Sequence, residues 1–175
     1  PPTAHRPFQA DVTIVVGATT SGESQDRPSL ALDNGADALI AAVSAAATQS
    51  VVLVQAPGAF TTPWRDSVEA IAVMFLGGEK TGTAWADVVF GSVAPSGRLP
   101  VQLPTAEADE IPPSSEESVE YSEGMATSYR DKAHPPAFAF GHGLTFAEFN
   151  FTSATQAIRP TATSPPTPAP SRPVP

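Results

Sequence analysis

The sequence contains no cysteine. Disulfides, thiolate nucleophiles and cysteine-based zinc sites are excluded together. Metal-ligand spacing is lacking as well. The three histidines, His5, His134 and His142, are scattered, and no metal or other cofactor is implied. Basic residues are few, nine against 18 acidic, for a net charge of −9. Such a balance repels phosphate backbones and anionic membrane surfaces, so neither is an expected partner. The acidity suits a protein acting on a neutral ligand, and it suits equally a protein whose charge serves solubility alone. No apolar run approaches the length of a membrane span. No signal peptide is recognisable, and the chain opens at Pro1 rather than Met, as a processed or truncated polypeptide would.

What remains is 175 residues, 41% of them hydrophobic, which is enough for one domain with a tail. Residues 1–10 read as an unstructured lead-in. Residues 11–17 (DVTIVVG) form a mostly β-branched run ending in Gly, the pattern of a buried parallel strand. A polar loop, 18–28, follows. Over 33–48, Leu39, Ile40, Val43 and Ala47 recur at helical spacing, and Asp33-Asn34-Gly35 reads as the helix start. Residues 50–55 (SVVLVQ) and 70–76 (AIAVMFL) are further strands, separated by a short turn and brief helix over 61–68. A helix is expected over 81–90.

Strands alternating with helices imply an α/β fold, a mostly parallel sheet flanked by helices on both faces. Ligand groups in such sheets sit on the loops beyond the carboxyl ends of the strands. Here those loops are 18–28, 56–62 and 77–80. After Ala94 the pattern becomes irregular, with an acidic, Pro- and Ser-containing stretch over 105–120. Residues 152–175 are mostly Thr, Ser, Ala and Pro and read as a linker or tail.

The loop 18–28 carries Glu23, Asp26 and Arg27 within five residues. Gly22 and the serines allow a tight turn and close backbone approach to a ligand. Arg27 is expected to pair with Asp26 and hold the loop, leaving Glu23 free. A carboxylic acid in that position donates a proton to a leaving oxygen if its pKa is raised. Read from its chemistry alone, Glu23 is more often an ordinary solvated loop residue, the commoner case for a short motif. Gly77 to Gly82 lacks phosphate-loop spacing and reads as a helix entry, with Glu79 near the positive end of the dipole. His142 reads as a catalytic group or, more commonly, a turn histidine. Trp64 and Trp85 are candidate sugar-stacking rings, Trp85 being the better core candidate. No serine lies on a nucleophile elbow. Asn150-Phe151-Thr152 is a glycosylation sequon.

In order along the chain stand VVG, SGE-x-x-DR (Ser21 to Arg27), SVVLV, Pro63-Trp64, a Gly-rich turn, ADVVFGSVAPSGRLPVQLP (Ala86 to Pro104), YSEG (Tyr121 to Gly124), Tyr129-Arg130 and FAFGHGLTFAEFNF (Phe138 to Phe151). This series resembles the C-terminal α/β domain of family 3 glycoside hydrolases, the β-glucosidase-like enzymes, over residues 11–151. The resemblance implies that Glu23 is an acid/base glutamate reaching into the mouth of a neighbouring barrel. The barrel would supply an aspartate nucleophile for a retaining double displacement on a glycoside or oligosaccharide. Asp26 and Arg27 would bind substrate or position the loop. PSGRLP and FGHGL would be structural. The sequence departs from the family pattern at several points. It has no barrel, Lys80 replaces a family glutamate, and Ser128 to Asp131 is a reduced form of a longer aromatic motif. A Pro-rich tail stands where a fibronectin-type domain often follows. The chain is then either part of a longer, extracellular or secreted hydrolase, or a non-catalytic carbohydrate-binding or cell-surface module derived from one. A sheet lacking upstream strands is also expected to expose apolar surface that a partner chain or aggregation would cover.

Overall fold

A computed structural model describes residues 10–111, 114, 117–150 and 152–153. Most of the expected lead-in and of the tail therefore lies outside the described residues. The framework is a three-stranded parallel sheet in the order β1 (Thr13–Ala18), β2 (Ser50–Gln55), β3 (Ala70–Met74). Helix α1 (Ala36–Ala46) links β1 to β2, and α2 (Thr81–Val89) follows β3. No helix among the described residues is long and apolar enough to cross a membrane.

The strands form because Val and Ile suit a pleated surface, and register is fixed by which side is buried. Val15 pairs with Val52 and Gly17 with Val54 on one face; Ile14 pairs with Val51 and Val16 with Leu53 on the other. The first face packs on α1 through Ile40, with Ala36 and Val43 on the same stripe. Gly17 is required for that approach, since a Cβ there would stand 2.7 Å from Leu32 Cδ1 and 3.4 Å from Ile40 Cδ1. Leu39, expected on the apolar stripe, is instead 55% exposed, because it lies one position before the buried Ile40.

The connection from β2 to β3 contains no α-helix, and the connection itself is core. Ala56, Phe60, Thr62 and Trp64 are buried, and a single 3-10 turn, Arg65–Ser67, completes it. Burying a loop requires partners for its polar groups. The Thr61 amide donates to the Leu30 carbonyl, and the indole N–H of Trp64 donates to Asp37 Oδ1 at 2.6 Å. Trp64 is thereby a core residue, which corrects its reading as a sugar platform. Glu69 ties down the start of β2, accepting hydrogen bonds from the Ser50 amide and hydroxyl. The Ser50 amide is the main reason its carboxyl is held below the ordinary range.

The two motifs expected to be structural meet each other. Leu103 and Phe138 exchange backbone hydrogen bonds, and the Leu99 amide donates to the His142 carbonyl. At Gly143 a side chain would collide with the Gly97 carbonyl at 2.8 Å. This antiparallel contact fastens the irregular C-terminal half to the core through buried Leu103.

The expectation of a sheet covered on both faces holds at β2, where Leu53 is buried, and fails at β1. There Ile14 is 46% and Val16 62% exposed, because no described element packs over their side of the strand. Parallel sheets are ordinarily buried on both faces. We expect the isolated chain to self-associate with concentration in sedimentation velocity, and Val16→Lys to suppress this while changing stability by only about 0.5 kcal/mol. A monodisperse monomer at high concentration would contradict the expectation.

Candidate functional site

The carboxyl ends of β1 and β2 open onto one surface. The Thr19 amide donates to the Gln55 carbonyl, which keeps the two strand ends together. Beyond them the loop 18–28 closes a tight turn, with the Gln25 amide donating to the Gly22 carbonyl at 3.3 Å. Glu23 and Ser24 are the two central residues of that turn. Ser24 has φ +59°, a left-handed conformation that costs a residue with a side chain about 1–3 kcal/mol.

Glu23 is exposed at the tip. Among the described residues it makes no hydrogen bond or ion pair. Arg27 holds the loop through a partner other than the one expected. Arg27 makes no ion pair with Asp26; its Nη2 donates to the Ala59 carbonyl on the loop after β2. The reason is geometric, for Arg27 is half-buried under the loop while Asp26 is exposed. The other terminal nitrogen, Nη1, is buried without a hydrogen-bond partner among the described residues. Asp26 and Arg27 line a shallow depression of about 310 Å³ together with Thr20, Ser21, Gln25 and Asp33. Glu23 stands outside that depression, at its rim.

The sequence does not single out Asp33 as a loop residue, since D-N-G before an apolar stripe reads as a helix start. Helix α1 follows a 3-10 turn over Asp33–Gly35, with Gly35 at its N-cap and no side-chain cap. The Asp33 carboxylate turns back to the end of β1. It accepts from the Thr19 hydroxyl at 3.1 Å and from both the amide and hydroxyl of Thr20 at 2.8 Å. The Thr20 hydroxyl and amide hold its pKa below the ordinary aspartate value. The available signal was the pair of threonines immediately after the strand.

A second hollow, apart from the first, is lined in part by Gln102, Asp109, Glu123, Asp131 and His134. His134 Nδ1 and Asp131 Oδ2 lie 2.8 Å apart. The hydrogen bond to Asp131 raises His134 above 6.5, and the same bond with the Ala133 amide lowers Asp131 below 3.8. The histidine's contribution is complete below 6.5 and is lost as pH rises through its raised value. The aspartate's is complete above 3.8 and is lost as pH falls through its lowered value. The contribution of the pair is therefore greatest between those two limits. In an NMR titration His134 should titrate above an ordinary histidine, and Asp131→Asn should return it toward 6.5. An unmoved midpoint in that variant would remove the pairing. His142 sits in the turn at the end of the antiparallel contact, its ring 5.4 Å from that of Phe138, remote in role from the Glu23 loop.

Residues 3–146 match the glycosyl hydrolase family 3 C-terminal domain. Among similar proteins is the probable beta-glucosidase J of Aspergillus fumigatus, 38% identical over 164 residues, covering 88% of this chain and 19% of that protein. Another is the thermostable beta-glucosidase B of Acetivibrio thermocellus, 35% identical over 153 residues, covering 82% and 20%. The fold superposes on DesR, a beta-glucosidase from Streptomyces venezuelae solved in complex with D-glucose, with TM-score 0.72 and 32% identity over 81% of this chain and 20% of that one. It superposes on the beta-D-glucoside glucohydrolase of Trichoderma reesei with TM-score 0.73 and 30% identity, covering 81% and 22%. The chain spans about a fifth of the length of these relatives.

Proposed function

Starting from a chain that belongs to glycosyl hydrolase family 3, we propose that it is the acid/base half of a retaining β-glucosidase. Glu23 protonates the leaving glycosidic oxygen and then, as its carboxylate, deprotonates the water that releases the sugar. The nucleophile comes from a barrel domain not contained in these residues. A retaining pair needs its two carboxyls about 5–5.5 Å apart, so the docked barrel must bring its carboxylate to the tip of the 22–25 turn. The observation that carries the reading is the state of Glu23: exposed at the strand-end turn, and engaged by no other side chain among the described residues. A carboxylate locked in an internal ion pair would be unable to exchange protons with a docked substrate.

Arg27 is a loop-positioning residue in this reading, and Asp26 a polar wall of the adjoining depression that faces the sugar. The strut from Arg27 to Ala59 ties the acid/base loop to the loop after β2. It does so while leaving a guanidinium nitrogen without a partner, an arrangement that adds little stability. An extracellular setting is part of the proposal, in keeping with a glycoside substrate. The decisive experiment is chemical rescue by azide of Glu23→Gly in a polypeptide that joins this chain to its barrel. Rescue supports the acid/base role. Full activity in Glu23→Gly removes it and assigns proton donation to another residue.

A further inference from the structure

We propose that Asp33 is a positioning residue for the acid/base turn: its carboxylate anchors the strand-side root of the turn through Thr19 and Thr20, so that Glu23 is presented at a fixed place beyond the sheet. The inference rests on the assignment of Glu23 given above.

Three observations converge on it. The first is how fully Asp33 is engaged. Its carboxylate oxygens accept three hydrogen bonds, and the Thr20 amide has that carboxylate as its acceptor. The second is where Asp33 stands. The cap position of α1 is Gly35, which has no side chain to cap with, and Asp33 lies two residues earlier in the 3-10 turn, its carboxylate turned toward the loop. The third is where positive backbone φ angles fall. Non-glycine residues with positive φ among the described residues are Ser24, Asn34 and Ser128. Ser24 is in the Glu23 turn itself, and Asn34 directly follows Asp33. At Ser24 such a conformation persists only where the surroundings over-determine it, whereas asparagine adopts it readily and makes Asn34 a natural turn residue. Asn34 turns the chain so that Asp33 faces back along β1. Ser24 turns it so that Glu23 stands at the tip.

Together with the Arg27 strut, the clasp holds the loop from both ends. Thr20 is fixed three residues before Glu23 and Arg27 four residues after it. A misplacement of about 1 Å in a catalytic group costs on the order of a hundredfold in rate, so loosening one of two tethers should cost less than that and more than nothing. Arg27 is the charged group that faces Asp33, and it favours the ionised carboxylate.

The test begins with the 175-residue chain, isotope-labelled. Near neutral pH the Thr20 amide should be protected from exchange and shifted downfield. That protection should fall by roughly tenfold or more as Asp33 protonates, in the acid range below 3.8, while the amides of Val52 and Val54 stay protected. Asp33→Ala should abolish Thr20 protection at all pH values, and Asp33→Asn should keep part of it. The same variants in the barrel-joined polypeptide should lower kcat by about tenfold at unchanged KM for Asp33→Ala, with partial recovery in Asp33→Asn. An unprotected Thr20 amide in the parent chain overturns the clasp. Thr20 protection lost in Asp33→Ala with kcat intact overturns the positioning role while azide rescue of Glu23→Gly still stands. Failure of azide rescue overturns the Glu23 assignment, whatever Asp33 does.

Discussion

Glu23→Gly in a polypeptide that joins this chain to a family 3 barrel should lose about 10²–10⁴ in kcat, the span that a positioned general acid–base group contributes. The loss should depend on the leaving group. A good leaving group departs without a proton, so the glycosyl-enzyme still forms and its hydrolysis becomes slow. Azide should then restore turnover. It attacks the anomeric carbon without needing a base, the bond to the barrel's carboxylate breaks, and the product is a glycosyl azide of retained configuration. The 175-residue chain alone should hydrolyse no aryl β-glucoside, because one carboxylate cannot perform a double displacement. Turnover by the isolated chain that vanishes in Glu23→Gln would mean a complete site within these residues. Turnover by the joined polypeptide that ignores Glu23 would mean that another residue donates the proton.

The sheet was legible because its signal is local. Strand β2 was read residue for residue from SVVLVQ, since a β-branched run that short has few other ways to be buried. Strand β3 ends two residues early, at Met74, because Phe75 and Leu76 turn toward the helix entry over Gly78–Lys80. The site was legible as a place and not as a network. Loop 18–28 could be put beyond the carboxyl end of β1 from strand order alone. Its tethers could not, because each joins residues far apart in sequence. Arg27 reaches Ala59 across 32 positions, and Thr20 reaches Asp33 across 13. A neighbouring Asp26 is the obvious partner on paper, but Asp26 is exposed while Arg27 is half-buried. Trp64 was similarly opaque. An aromatic beside a proline in a polar stretch resembles a surface platform until the β2–β3 connection is seen to lack a helix of its own.

That missing helix makes Phe60 the residue on which the core depends most. Phe60 is wholly buried, and the cluster around it draws on every layer: Val52 and Val54 from β2, Ile40 from α1, Trp64 from the same connection and Leu103 from the C-terminal half. Phe60→Ala should cost about 3–5 kcal/mol, the usual loss for truncating a core phenylalanine. For most domains that leaves a stable remainder out of roughly 5–15 kcal/mol. Here the outer face of β1 contributes less than it would if covered, with Val16 and Ile14 half in water, so the remainder should be close to zero. Urea unfolding of the isolated chain should therefore show the parent's transition displaced to near zero denaturant in Phe60→Ala. Phe60→Leu, which keeps most of the volume, should retain a cooperative transition. A Phe60→Ala chain within about 1 kcal/mol of the parent would mean that the β2–β3 connection is not core and that α1 alone holds the sheet. Its loops would then be free to move apart, and the Arg27 strut to Ala59 would fix nothing.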